Sequence, residues 1–541
     1  MDRMRFAGMR PGFRSTCPRP PMKRLFASLA LCCTALCPTP AALAAPPGAQ
    51  PAAGLPATPQ DWRLAALRDI EAGYRVTLDN HAGARDPHNP AFLANLGAAR
   101  AHGLALAARV TNGSGYLAAL LGFTNRIHDG HAGVYPAIDF DTVQQAEWPG
   151  FVAAWRGELY VYKAEEGAAS AGERIVSCDG VPVRRLIEDK VFAFMGRSDE
   201  EGQWWDHAHD LFRDWGNPFA PRPQRCVFEA NGRQGERALR WRTMPQSATG
   251  WWYESVRGAP LPLGLSEPRP KLFWVAMPTF NPNEQERKAY RELYRQVQAG
   301  RERLLGADAV VIDLRANGGG SSLWSLDFAK ALWGEDRVTR RRAAHGARTE
   351  VWYRASPGNI AYFQKMAQEK TAQGETAVAE IVNTYAQNLL AARSAGQDYY
   401  ISKNDAPPPA LDPTVDQPGD PAPFMRPTYV IVPGDCASAC LDAIDYFKLF
   451  PNTKLVGAPS SADSTYMEVR VEQLPGGLAR VIVPTKLYVH RPRGNGAFYR
   501  PDIPVTALDW STATFLGVVE QDLARLPGSS TSVAGVDAAQ P

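Results

Sequence analysis

Two short runs of uninterrupted apolar residues, Ala309-Val310-Val311-Ile312 and Tyr429-Val430-Ile431-Val432, constrain this chain's fold more than any other feature. Runs of this kind read as strands buried on both faces. Each breaks at a loop and passes into a helical pattern. The first loop is Asp313-Leu314-Arg315-Ala316-Asn317-Gly318-Gly319-Gly320; the second is Gly434-Asp435-Cys436-Ala437-Ser438-Ala439-Cys440. Leu272-Phe-Trp-Val-Ala-Met and Lys454-Leu-Val-Gly repeat the strand pattern, and Gln285 to Leu305 is a charged amphipathic helix. The alternation predicts an α/β fold from about residue 270.

A chain of 541 residues is too long for one hydrophobic core, so two to four domains are expected. Residues 61–147 carry apolar residues three and four apart and read as a helical N-terminal region. Residues 148–245 alternate as short strands and read as a small β-rich domain, with a tight Asp179-Gly180 turn between two of them. Residues 246–525 form the α/β unit. It is interrupted at 336–425 by a polar helical stretch and a Pro-rich linker. Residues 45–60 read as a linker, and the tail 526–541 as disordered.

The N-terminus reads as an export signal. Lys23-Arg24 precede the apolar run Leu25 to Leu36, and Ala42-Leu43-Ala44 offers a small-x-small cleavage site. Met22 is an alternative start. A lipidated Cys32, Cys33 or Cys37 is disfavoured, because the usual small residues do not precede them. The run is too short to span a bilayer, and no other segment is long and apolar enough. The expected location is periplasmic or secreted. Residues 1–44 hold a net charge of +6, against +3 for the whole chain. The remainder is therefore mildly acidic and has no basic arm, which argues against nucleic acid as a partner.

Removal of the signal leaves Cys178, Cys226, Cys436 and Cys440. In an oxidising compartment Cys178 and Cys226 can bridge within the β-rich domain. Cys436 and Cys440, four apart, either bridge on a helical turn or pack as two buried thiols. No second Cys/His pair stands at zinc-ligand spacing, so no metal is expected. His207 and His209 supply only two ligands and read as a surface pair.

Ser438 stands where a buried strand turns into a helix, and Gly318-Gly319-Gly320 can offer bare backbone N–H groups. A serine beside an oxyanion site is the minimum equipment for acyl transfer. The alternative for Ser438 is an ordinary helix N-cap, for the glycines a plain turn, and for His131 a loop histidine bonded to Asp129.

In order along the chain, Asp129-Gly130-His131, Gly172 to Val183, Val310 to Gly320, Ala437-Ser438-Ala439 and Arg500-Pro501-Asp502-Ile503 resemble the S41 serine peptidases. That family includes the tail-specific (C-terminal processing) proteases and the core of tricorn protease. The resemblance spans roughly residues 115–510. It implies a ClpP/crotonase-like α/β catalytic core, an inserted PDZ-like domain at 148–245 and a peptide or protein substrate, with no cofactor. By the same resemblance Ser438 is the nucleophile and His131 its base, with the oxyanion bound by Ala439 and by Gly318 or Gly319. The chain departs from the tail-specific branch, whose lysine is missing from Gly457 to Glu468; Asp463 sits about where it would stand. It departs from the tricorn branch too, because Arg493 to Arg500 holds no acid. Asp463 is the leading candidate for the acid and Glu468 the second; Lys486 could serve as a base. The implied activity is an exported serine endopeptidase. The competing readings are a peptide-binding protein on the same scaffold with its chemistry lost, and a hydrolase of another ester or amide. The sequence does not determine the oligomeric state.

Overall fold

The structure, a computed structural model, describes residues 54–138, 144–402 and 426–526. The expected signal, most of the 45–60 linker, the Pro-rich stretch 406–425 and nearly all of the tail lie outside the described residues. The centre of the fold is a six-stranded sheet in the order Gly264–Arg269, Leu272–Ala276, Ala309–Asp313, Thr428–Val432, Thr453–Gly457 and Ile503–Pro504. The first pair is antiparallel and the others are parallel. Alternate residues of the two apolar runs enter different cores. Val311, Tyr429 and Ile431 join Trp274, Trp205 and Trp510 on one face. Val310, Ile312, Val430 and Val432 meet the helical layer on the other. Both faces are covered, which is why these strands carry no polar alternation.

That helical layer includes Glu284–Ala299, Leu323–Trp333 and Ala439–Phe447. The first begins at a capping box between Asn283 and Glu286. The sequence suggests one helix to Leu305, but the chain breaks at Gly300 and resumes as Arg301–Leu305.

Residues 151–238 form an antiparallel sheet ordered Phe151–Trp155, Leu159–Ala164, Arg174–Cys178, Arg225–Ala230 and Arg233–Ala238, with Val181–Pro182 paired to Arg174–Cys178. Its apolar face shares a core with the central sheet. A disulfide joins Cys178 and Cys226, whose strands are paired at that register.

At the N-terminal side, helices Pro59–Asn80, Ala91–Ala107 and Gly113–Asn125 pack on another sheet. The helical reading of 61–147 fails at Gly133–Pro136, which is a strand paired with residues 479–482. Gly133 takes φ +156° where a β-carbon would fall 2.3 Å from Thr124 Cγ2, so the chain turns from helix to strand in a space only glycine fills. The spine of this sheet is Ala479–Val489, with Tyr466–Gln473 on its other side. The insertion is not purely helical. Between helices it supplies strands Glu350–Arg354 and Tyr399–Ser402, which extend the sheet from residues 486–489. Helices Pro357–Ala372 and Thr376–Ser394 pack on them around Tyr353, Phe363 and Leu389. Among the described residues no helix is long and apolar enough to cross a membrane.

Candidate active site

The parallel register brings three loops to one edge of the central sheet. Asp313 pairs with Ile431 and Val432 with Gly457. The segments after these strands (314–320, 433–438 and 458–464) therefore leave the same end, the usual place for a site in such sheets.

Ser438 is half-buried and heads the helix Ala439–Phe447. Its backbone lies at φ 55°, ψ −122°, and its side chain makes no capping hydrogen bond. A non-glycine residue held there stores about 1–3 kcal/mol of strain. The ordinary N-cap alternative does not describe this geometry, because a capping serine sits in extended backbone and accepts a helix N–H. Cys436 and Cys440 are joined by a disulfide, so the bridge spans the serine.

The Gly-rich loop lies directly against this turn. Buried Asp313 holds Arg315 at 2.6 Å, and Arg315 reaches Trp510 O and Thr512. Asn317 donates to Met277 O and accepts the Gly319 N–H at 3.1 Å. Gly319 takes φ +111°, and a β-carbon there would fall 2.7 Å from Ala437 O and 3.1 Å from Ser438 Cβ. Of the three backbone donors singled out from the sequence, Gly319 N–H is thus occupied. Among the described residues the N–H groups of Gly318 and Ala439 have no hydrogen-bond partner. Glycine is needed at 319 for close approach rather than for a donor.

His131 meets Asp463 across an ion-pair distance of 3.3 Å, Nδ1 to Oδ1. Both side chains are nearly buried. Burial pushes the Asp463 carboxyl above the ordinary carboxylate range, while His131 and Arg493 pull it down. Asp129 links the two loops: Oδ1 accepts the His131 N–H at 3.0 Å and the Ser464 hydroxyl at 2.7 Å. Its Oδ2 meets His81 Nε2 at 2.8 Å. Because Gly83 N–H donates to His81 Nδ1, the proton of neutral His81 must sit on Nε2 and point at Asp129. Burial opposes ionisation of Asp129, yet the contacts with His81 and His131 together outweigh it and hold the carboxyl low.

Arg493 joins this pair to the serine helix. It donates to Asp463 Oδ2 at 3.4 Å and to Asp442 Oδ1 at 2.6 Å. Asp442 lies one turn after Ser438, and its N–H donates to Ser438 O. Ser461 Oγ also donates to Gly434 O at 2.9 Å, tying the acid-bearing loop to the serine loop. Sequence reasoning missed His81 and Arg493. His81 stands in a turn that reads as plain loop, and nothing local marks a contact 48 residues away.

The other candidates are engaged elsewhere. Glu468 and Lys486 form an ion pair at 2.9 Å on adjacent strands, so each neutralises the other. His207 and His209 are not a surface pair: His209 is 2% exposed and packs edge-on against Trp252. No group of three or more His, Cys, Asp or Glu among the described residues could hold a metal ion.

Residues 271–504 match the family model described as peptidase family S41. Among solved structures, mature CPAF complexed with lactacystin aligns at a TM-score of 0.56 and 14% identity, covering 85% of this chain and 99% of that one. Mature CPAF aligns at 0.55 and 14%, covering 86% and 99%. At this identity the likeness is one of fold. No curated protein matches the chain.

Proposed function

We infer that this chain, a serine peptidase whose residues 271–504 belong to family S41, is an exported endopeptidase that cuts peptide bonds through an acyl-enzyme on Ser438. The observation that carries this reading is Ser438 itself. It sits at a strained backbone position at a helix head, with its hydroxyl not used as a cap. Strain held at a half-buried polar side chain at a helix head favours a reactive role over a structural one.

In the proposed reaction His131 Nε2 takes the hydroxyl proton while Nδ1 faces Asp463. Asp463 would fix the tautomer and stabilise the imidazolium that forms. Ser438 Oγ adds to the scissile carbonyl. The oxygen that gains charge is received by the N–H groups of Ala439 and Gly318, helped by the partial positive charge of the helix N-terminus. His131 then passes its proton to the leaving amine. Water, activated by the same imidazole, releases the acyl group and restores the serine.

The antiparallel sheet of residues 151–238 is read as a PDZ-like domain that takes an extended peptide by strand addition. Export rests on the signal-like N-terminus and is supported by the two disulfides, which need an oxidising compartment.

The test is intact-mass labelling of the mature protein with a fluorophosphonate, comparing wild type with Ser438→Ala and His131→Ala. One adduct on wild type and none on either variant is the expected result. Labelling that persists in His131→Ala would remove His131 as the base, and a folded wild type that never labels would remove the acyl-enzyme.

A further inference from the structure

We propose that the Cys436–Cys440 disulfide is the positioning element of the nucleophile, so that the enzyme works only with this bridge oxidised; this rests on the reading of Ser438 as nucleophile. The bridge encloses only Ala437, Ser438 and Ala439. The strained residue lies at the middle of that ring.

On its own side one hydrogen bond, from Cys440 N–H to Ala437 O at 3.0 Å, also spans Ser438, but a single bond of this kind can open where a covalent bridge cannot. Helical hydrogen bonds set the backbone from Ala439 onward, but Ser438 precedes the helix and contributes only its carbonyl, to the N–H groups of Leu441 and Asp442. From the other side Gly319 contributes packing against Ala437 and Ser438, which a small loop movement would lose. The disulfide is covalent and fixes how far the entry of the turn can move from its exit. Both cysteines are fully buried in the core beneath the helical layer, so each end of the ring is anchored. The entry is held again by Cys436 N–H to Pro433 O and by Arg257 on Asp435.

Reduction takes up two electrons and two protons. The S–S bond breaks, two thiols form, and a dithiol reductant becomes its cyclic disulfide. The turn is then free to leave its positive φ, and Ser438 Oγ moves away from its base and from the oxyanion donors. A shift of about 1 Å in a reacting atom is enough for roughly a hundredfold loss of rate.

The experiment compares the rate of fluorophosphonate labelling and the amide hydrogen exchange of residues 434–441 in three proteins: wild type, Cys436→Ala/Cys440→Ala, and Cys178→Ala/Cys226→Ala. The expected result is labelling about ten- to a hundredfold slower in the first variant, with faster exchange confined to that segment and the rest of the chain protected. The second variant labels like wild type. Its one remaining bridge can then be opened with dithiothreitol and closed by reoxidation, and labelling should fall and return with it. This reversible arm decides the matter even if the first variant does not fold. Labelling at the wild-type rate after either removal or reduction, or unchanged exchange in 434–441, overturns the proposal. A wild type that never labels at Ser438 overturns the nucleophile reading and this proposal with it. That outcome differs from failure of the bridge alone, in which wild type and bridge-free protein label alike.

Discussion

Asp463 Oδ1 lies 3.3 Å from His131 Nδ1, and these two residues are held together by a third, Asp129, that bonds the neighbour of one and the backbone of the other. Ser464 donates to the same carboxylate oxygen that receives the His131 N–H. Orientation of the imidazole is therefore shared between two loops that are more than 300 residues apart in the chain.

Asp463→Asn should leave the fold intact and slow acylation. The amide keeps the shape but presents no charge to the imidazolium and can favour the wrong tautomer. A loss on the order of 10²–10⁴ in kcat is expected, with KM changed little. Steady-state kinetics on a peptide substrate measure both, and an unchanged kcat would remove Asp463 from the reaction.

Gly319→Ala should damage activity more than its size suggests. The new methyl would meet Ala437 O at 2.7 Å on a backbone already at φ +111°. Either the Gly-rich loop or the serine turn must move, and with it a donor to the oxyanion. The expected loss is about 10²-fold in labelling rate, against only about 1–3 kcal/mol in stability. Denaturant unfolding alongside labelling separates the two effects.

Arg315→Met should be strongly destabilising, by about 3–5 kcal/mol, because it leaves Asp313 buried without its partner. Asp313→Asn/Arg315→Met should recover part of that loss, since no uncompensated charge remains. Urea unfolding midpoints of the two variants make the comparison; equal loss in both would show that the pair contributes by shape alone.

Stability should peak near pH 6.5 through two neighbouring histidines. Burial opposes charge on His207, but Asp206, Asp210 and Asp435 outweigh it and push its pKa up to about 9. Its contribution is complete below the ordinary value of 6.5 and is lost as pH rises through 9. Burial pushes His209 down to about 4, so its contribution is present above 6.5 and lost as pH falls through 4. Each limb should amount to roughly 1–3 kcal/mol. His207→Gln should flatten the alkaline limb and His209→Gln the acid limb, as read from thermal unfolding across pH.

The α/β core is legible in the sequence because burial on both faces removes polar alternation from a strand, and Val310 to Ile312 and Tyr429 to Val432 show that locally. The glycine run is legible for a similar reason. Backbone at positive φ and close approach demand glycine at fixed places, as at Gly319, whereas Ser438 is legible only from its place between strand and helix and from the family resemblance. The proposed acid partner is less legible. Asp463 and Glu468 stand five apart in one segment, and only the pairing of Tyr466–Gln473 with Ala479–Val489 sets Glu468 against Lys486 while Asp463 meets His131.

Local chemistry thus determined which strands are buried, where the chain turns and which side chains could react. Tertiary structure alone decided which of them meet. His81 reaches Asp129, and Arg493 bridges Asp463 to the serine helix. These are contacts made through space by residues distant in the chain. No short-range pattern encodes them, because a hydrogen bond constrains the distance between two groups and not their separation along the sequence.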